Sequence, residues 1–214
     1  MFLEIELKLS IDANPAHIAL LFNHSLLKNV HPVSEELISR YFDTPDLCLW
    51  KQGLSLRIRE AEGRTIQTLK TAGKQLGELQ HRHEWDQPIE DASPNIHAFK
   101  DKEVSKKLET IMGKQPLIEL FHTRFNRTQW NLETEDGTKI ELVLDQGTVR
   151  TATQHMPLHE IELELKQGDA QQIEKIATLL KQTIPLTLET RSKAERGYKL
   201  YTHSNGVFGK LPQK

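Results

Sequence analysis

The chain has one cysteine, Cys48, among its 214 residues. A lone thiol forms no intrachain disulfide, which suits a reducing cytoplasm. No apolar run approaches the roughly 20 residues of a bilayer-spanning helix. The N-terminus also lacks a basic segment followed by an apolar one, so secretion and membrane insertion are not expected. An excess of one charge is missing as well. The 28 basic and 30 acidic residues nearly cancel, so nothing points to nucleic acid or to an anionic membrane surface. No GxxxxGK[ST] loop occurs, so any phosphate would be held by side chains rather than by a glycine cradle. Among the 10 histidines, His81 and His83 lack a partner pair at metal-ligand spacing, which argues against zinc. Repeats, low-complexity stretches and flexible linkers are absent too.

What is present is charge: 27% of the residues are Asp, Glu, Lys or Arg, against 37% hydrophobic. The length suits one domain, expected over 1–201, with a loose tail over 202–214. The elements read as antiparallel strands with a few helices, the α+β class. A strand over 2–10 ends before Asn14, which can cap a helix with Pro15 at its first position. Strands follow over 36–43, 54–60 and 64–71, then a loop over Lys74 to Gly77 and a strand over 79–87. Ser93 to Met112 reads as one or two short helices. Strands over 118–133 and 139–146 flank Asp136-Gly137, a hairpin signal, and a second hairpin is expected over 148–153 and 157–166. Asp169 caps a helix to Thr183 with Ile173, Ile176, Ala177 and Leu180 as its apolar stripe. Thr187 to Glu189 reads as extended and Ser192 to Leu200 as helical. Trp50, Trp85, Trp130 and the phenylalanines read as core.

The informative pattern begins at Glu4-Ile5-Glu6-Leu7-Lys8. Side chains two apart share a strand face, so Glu4, Glu6 and Lys8 line one side and the aliphatic residues the other. The same parity recurs. Arg57 and Arg59 share a face, as do Thr68 and Lys70, Arg82 and Glu84, and Arg127 and Gln129. Glu141 pairs in parity with Asp145, and Glu160 with Glu162 and Glu164. An ordinary antiparallel sheet has one wet face. Here, however, arginines dominate one set of strands and carboxylates another, where a solvent face would mix them. About eight strands suffice to close a barrel. Such a barrel could turn its apolar faces outward and its charged faces inward. Burying these ions dry would cost several kcal/mol each, so the interior must hold water or a polyanion with its cations. Arginine and lysine match phosphate, and clustered carboxylates match Mg²⁺ or Mn²⁺. The chemistry that follows is phosphoryl transfer from a metal-bound oligophosphate.

Taken together, the motifs resemble the CYTH domains, also called triphosphate tunnel metalloenzymes. Glu4-Ile5-Glu6-Leu7-Lys8 resembles the ExExK signature of that family. Tyr41-Phe42-Asp43-Thr44-Pro45, Leu56-Arg57-Ile58-Arg59, Thr68-Leu69-Lys70, Arg82 with Glu84, Phe125-Asn126-Arg127, Leu144-Asp145-Gln146-Gly147, Glu160-Ile161-Glu162-Leu163-Glu164 and Ser192 to Tyr198 follow in family order. The resemblance spans residues 4–198 and implies a closed eight-stranded antiparallel tunnel with helices packed outside. By resemblance, Lys8, Arg57, Arg59, Lys70, Arg82, Arg127 and Lys193 hold the triphosphate. Glu4, Glu6, Asp145, Glu160 and Glu162 hold one or two Mg²⁺ or Mn²⁺ ions, and Glu4, Glu6 and Lys8 form the catalytic strand. Glu141 and Glu164 are supporting residues, Glu195 supports its helix, and Arg196 is ambiguous.

Within the family the chain is most similar to bacterial inorganic triphosphatases, many of which carry a C-terminal CHAD domain that is not expected here. The expected activity is metal-dependent hydrolysis of tripolyphosphate to pyrophosphate and phosphate. A class IV adenylate cyclase, a hydrolase of thiamine triphosphate or a nucleotide, and a non-catalytic polyphosphate-binding module stay open as alternatives. So does the choice between monomer and homodimer. No nucleic acid or membrane partner is expected.

Overall fold

The computed structural model describes residues 1–61 and 63–204. Strand β1 (Phe2–Ser10) is followed by helix α1 (Pro15–Phe22), β2 (Val33–Asp43) and the short α2 (Cys48–Lys51). Then come β3 (Leu54–Ala61), β4 (Arg64–Thr71), β5 (Lys74–Leu76), β6 (Leu79–Ile89) and α3 (Lys102–Met112). The second half holds β7 (Ile118–Glu133), β8 (Lys139–Arg150), β9 (His155–Gln167), α4 (Gln171–Thr183), β10 (Thr187–Leu188) and α5 (Lys193–Ser204). No helix among the described residues is long and apolar enough to cross a membrane.

The sheet runs β1-β9-β8-β7-β2-β3-β4-β6, every pair antiparallel. It closes because β1 also pairs with β6, placing Glu4 opposite Arg82 and Glu6 opposite Gln80. The result is the expected eight-stranded barrel. Closure removes the unpaired edges that an open sheet would leave. β5 and β10 are short additions at the ends of β6 and β1.

Apolar residues on the outer face pack under the helices. Leu7, Leu9, Leu142, Leu144, Ile161 and Leu163 form one core with Ile173, Ile176, Ala177 and Leu180 of α4. The stripe expected for this helix is therefore the buried one. Asn14 caps α1 as expected, its Oδ1 accepting from the Ala16 N–H at 2.9 Å. Leu56, Ile58 and Leu69 form a second outer core with Leu108 of α3.

A third core lies on the inner face. Tyr41, Phe121, Phe125, Val149 and Leu158 pack with Ala194 and Tyr198 of α5, which closes one end of the barrel. Gly197 lets the helix in, because a Cβ there would run into the Phe121 ring. Ser192 and Glu195 start α5 with a reciprocal cap. The Ser192 N–H donates to Glu195 Oε2 at 2.7 Å, and the Glu195 N–H donates to Ser192 Oγ at 3.1 Å.

Several expectations are corrected. Lys74 to Leu76 is a strand rather than a loop, paired with Leu79 to His81 across a turn where Gly77 takes φ +64°. β8 runs unbroken through Gly147 instead of ending at 146. The glycine signals no turn there; it sits opposite Phe125, where a Cβ would strike the neighbouring backbone. Phe2 and Phe22 are exposed rather than core. Residues 202–204, expected in the tail, are the last turn of α5. The remainder of that tail, 205–214, and Glu62 of the expected β3–β4 turn lie outside the described residues.

Candidate active site

The barrel interior encloses a cavity of about 260 Å³, lined by charged side chains from nearly every strand. The two-residue period places them there. Glu4, Lys8, Arg57, Arg59, Lys70, Arg82, Arg127, Glu162 and Lys193, each expected in the site, line it directly. Glu6, Asp145 and Glu160 lie behind them, fully buried.

On the β1–β4–β6 side the charges interlock. Lys70 Nζ donates to both oxygens of Glu4 at 3.1 Å and lies 2.6 Å from Glu84 Oε2. Arg82 binds Glu4 through Nε and reaches Glu6 Oε1 through Nη2 at 2.5 Å. Burial alone would raise Glu4, but Lys70 and Arg82 outweigh it and hold the carboxyl well below its usual range. Glu84 goes the other way. Its burial, reinforced by Glu4, outweighs Lys70 and raises it.

On the β7–β8–β9 side, Asp145, Glu160 and Glu162 bring ligand oxygens within 4.8 Å of one another, the only such group among the described residues. Glu4 and Glu6 are not part of it. Arg127 grips Asp145 with two hydrogen bonds of 2.8 and 2.7 Å and also reaches Glu162 at 2.9 Å. Lys8 lies 2.8 Å from Glu162 and is bonded to Glu6 as well. Lys193 contacts Asp145, Glu160 and Glu162 at 2.7, 2.5 and 3.1 Å. Burial would lower the lysine, but these three carboxylates drive it far above its usual range. For Glu162, burial is outweighed by Lys193 and Lys8, so it sits well below the carboxylate range.

β3 differs. Arg59 has no carboxylate within ion-pair distance among the described residues, and its Nε donates to the Ser39 hydroxyl at 3.0 Å. Burial, followed by repulsion from Arg57 and Arg127, pulls it down to about 9. The Nε of Arg57 is buried without an acceptor. Three cations, Arg59, Arg127 and Lys193, sit 5.2 to 5.9 Å from the centre of the Phe125 ring.

Sequence reasoning left some participants out. Arg196, read as ambiguous, is buried and donates to Glu160 at 2.7 Å. Lys166 bridges Glu141 and Glu164 at 3.3 and 2.9 Å. Its parity with Glu164 was the available signal. Asp86 also lines the cavity, accepting from the Thr68 hydroxyl at 2.6 Å.

A closed antiparallel barrel with both signs of charge turned inward defines a charge-lined tunnel protein. Residues 3–198 match the CYTH domain, and the chain belongs to that family. It is 34% identical over 206 residues to the inorganic triphosphatase of Haemophilus influenzae, covering 94% of this chain and 55% of that protein. The chain thus spans about half the length of this curated relative. Among solved structures, a candidate adenylyl cyclase from Hippeastrum with a dominant triphosphatase activity superposes with a TM-score of 0.58. It is 19% identical and covers 99% of this chain and 100% of that one. A candidate adenylate cyclase of Bacillus halodurans gives 0.55 at 20% identity, covering 92% of this chain and 98% of that one. A protein of Pyrococcus horikoshii gives 0.56 at 19%, covering 92% and 99%. At such identities these structures support the barrel fold.

Proposed function

We propose that residues 1–201 act as one unit that binds a linear triphosphate with a divalent cation and hydrolyses it, inorganic triphosphate yielding pyrophosphate and phosphate. The observation that carries this reading is on β3. Arg59 is a half-buried cation with no carboxylate in ion-pair distance among the described residues, flanked by Arg57 with an orphaned Nε donor. Uncompensated buried charge is costly unless an anion completes it. The guanidinium fork matches phosphate oxygens. Lys8, Lys70, Arg82, Arg127 and Lys193 continue the basic wall around the same cavity. Each of these, like Arg57 with Glu84 at 3.7 Å, already has a carboxylate partner that a phosphate would share, while Arg59 gives it a first foothold.

The donor set fits Mg²⁺ or Mn²⁺, one or two ions, because the closely grouped carboxylate oxygens of Asp145, Glu160 and Glu162 are hard ligands. Glu4 and Glu6 on β1 are candidates for a second position. When bound, such an ion would offset phosphate charge and help a water molecule lose its proton. The chain's own contribution is positioning: Glu4 and Glu6 hold Arg82 and Lys8 along the phosphate path. The identity with a curated inorganic triphosphatase supports hydrolysis as the reaction. The lone cysteine suits a cytoplasmic setting.

The test incubates the protein with Mg²⁺ or Mn²⁺ and tripolyphosphate, ATP or thiamine triphosphate, and assays phosphate and cyclic AMP. Phosphate from tripolyphosphate is expected. Cyclic AMP from ATP with intact tripolyphosphate would make the chain a cyclase. Metal-dependent binding without turnover would make it a binding module.

A further inference from the structure

The three carboxylates best placed to hold a cation already hold one. Lys193 Nζ lies within 3.1 Å of Asp145, Glu160 and Glu162 together. It alone among the surrounding cations touches all three. Arg127 reaches Asp145 and Glu162, Lys8 reaches Glu162, and Arg196 reaches Glu160. Taking Lys193 away would therefore leave each carboxylate with another partner, while vacating the one point they share.

We infer that Lys193 is the resident counter-ion of this carboxylate group, that its ammonium and a divalent cation exclude one another there, and that ion binding releases Lys193 toward the phosphate cavity. The exclusion is electrostatic and steric. Other cations share single oxygens with Lys193 from the side, but an ammonium and a divalent ion cannot both occupy the one point that all three carboxylates face. The release has somewhere to go, since Lys193 lines the cavity and lies 5.2 Å from the centre of the Phe125 ring, near Arg59 and Arg127. A freed ammonium adds a positive charge to the wall where Arg59 already lacks a carboxylate. Metal loading would thus sharpen the site for phosphate, and by reciprocity phosphate would tighten metal binding. In the resting protein the lysine keeps a dense acidic cluster neutralised without an ion. This inference rests on the metal-dependent reading above.

The test titrates Mn²⁺ alone into the full chain by calorimetry, with no phosphate present. A resident competitor lowers apparent affinity by the fraction of time it holds the site. Lys193→Met is therefore expected to bind Mn²⁺ about tenfold more tightly than the wild type or better. Lys193→Arg, which keeps a cation, should stay close to the wild type. Equal or weaker binding by Lys193→Met overturns the inference. A second measurement does not depend on how the variant folds: a crystal structure of the wild type with Mn²⁺, located by its anomalous signal. The ion among Asp145, Glu160 and Glu162 with Lys193 withdrawn supports the exchange. The ion elsewhere, or bound there with Lys193 still on all three carboxylates, overturns it. Tripolyphosphate hydrolysis with Lys193 unmoved refutes the exchange alone. Tight Mn²⁺ binding with no hydrolysis refutes the reading of function instead.

Discussion

Tyr198 donates its hydroxyl hydrogen to Asp43 Oδ2 at 2.9 Å, joining residues 155 positions apart. The same carboxylate accepts from the backbone N–H groups of Thr44, Leu49 and Trp50 at 2.7 to 2.9 Å. Asp43 therefore fastens the end of β2, the short α2 and the helix that closes the barrel. Trp50 stacks on Tyr198 with ring centres 4.2 Å apart, completing the joint.

Replacing Tyr198 with Phe removes one donor from a buried carboxylate that keeps its other three. A hydrogen bond to a charged group contributes about 1.5–3 kcal/mol, and the loss should fall in that range. Urea unfolding measures it. An unchanged midpoint would show that Asp43 is held by its backbone donors alone.

Alkaline pH acts on the same pair. Burial and the adjacent Asp43 carboxylate hold Tyr198 well above its ordinary 10.0. The unfolded chain ionises this phenol near pH 10 while the native protein keeps its proton. Its contribution is therefore complete below pH 10 and is lost as pH rises toward the folded value. Stability measured at pH 8 and at pH 11 should fall more in the wild type than in Tyr198→Phe. Equal losses would assign the alkaline limb to other groups.

Arg59→Met should separate stability from function. It removes a half-buried cation repelled by Arg57 and Arg127, so the variant should be more stable by about 1–2 kcal/mol. Turnover of tripolyphosphate should fall about 10²-fold or more, because a preorganised donor to the phosphate is gone. A variant that is both fully active and no more stable would mean that Arg59 neither suffers nor serves as argued.

Gly197→Ala sets propensity against packing. In an open helix alanine would gain about 1 kcal/mol over glycine. At this position the new Cβ meets the Phe121 ring, and overpacking costs about 1–3 kcal/mol. A net loss of stability is expected by thermal unfolding. A rise in Tm would indicate that Phe121 moves aside freely.

The inner wall was legible because a strand's two-residue period converts sequence directly into facing. Arg57 and Arg59, or Glu160 and Glu162, needed no tertiary knowledge to be placed together. The closure of the barrel was legible as a consequence, since both signs of charge turned inward only make sense around an enclosed space. Which charges would meet was not. Lys193 and Arg196 lie on a helix whose own period says nothing about how deeply it enters the barrel. Their joint grip on Glu160 depends on Gly197 meeting Phe121. Gly147 was misread because a glycine that ends a strand and one that admits a neighbouring strand look alike in one dimension. Phe2 was misassigned for a related reason: it shares the parity of Glu4 but stands at the rim, where the wall gives way to solvent.

β1 pairs on one side with β6 and on the other with β9, which ends at Gln167. During synthesis the first strand must therefore wait, with its second neighbour unmade, until most of the domain has left the ribosome. Contacts so distant in sequence slow folding and leave intermediates with an open seam. Until that seam shuts, Lys8 lacks its Glu162 partner on β9, and the nascent chain carries its tunnel as an unrolled, highly charged ribbon.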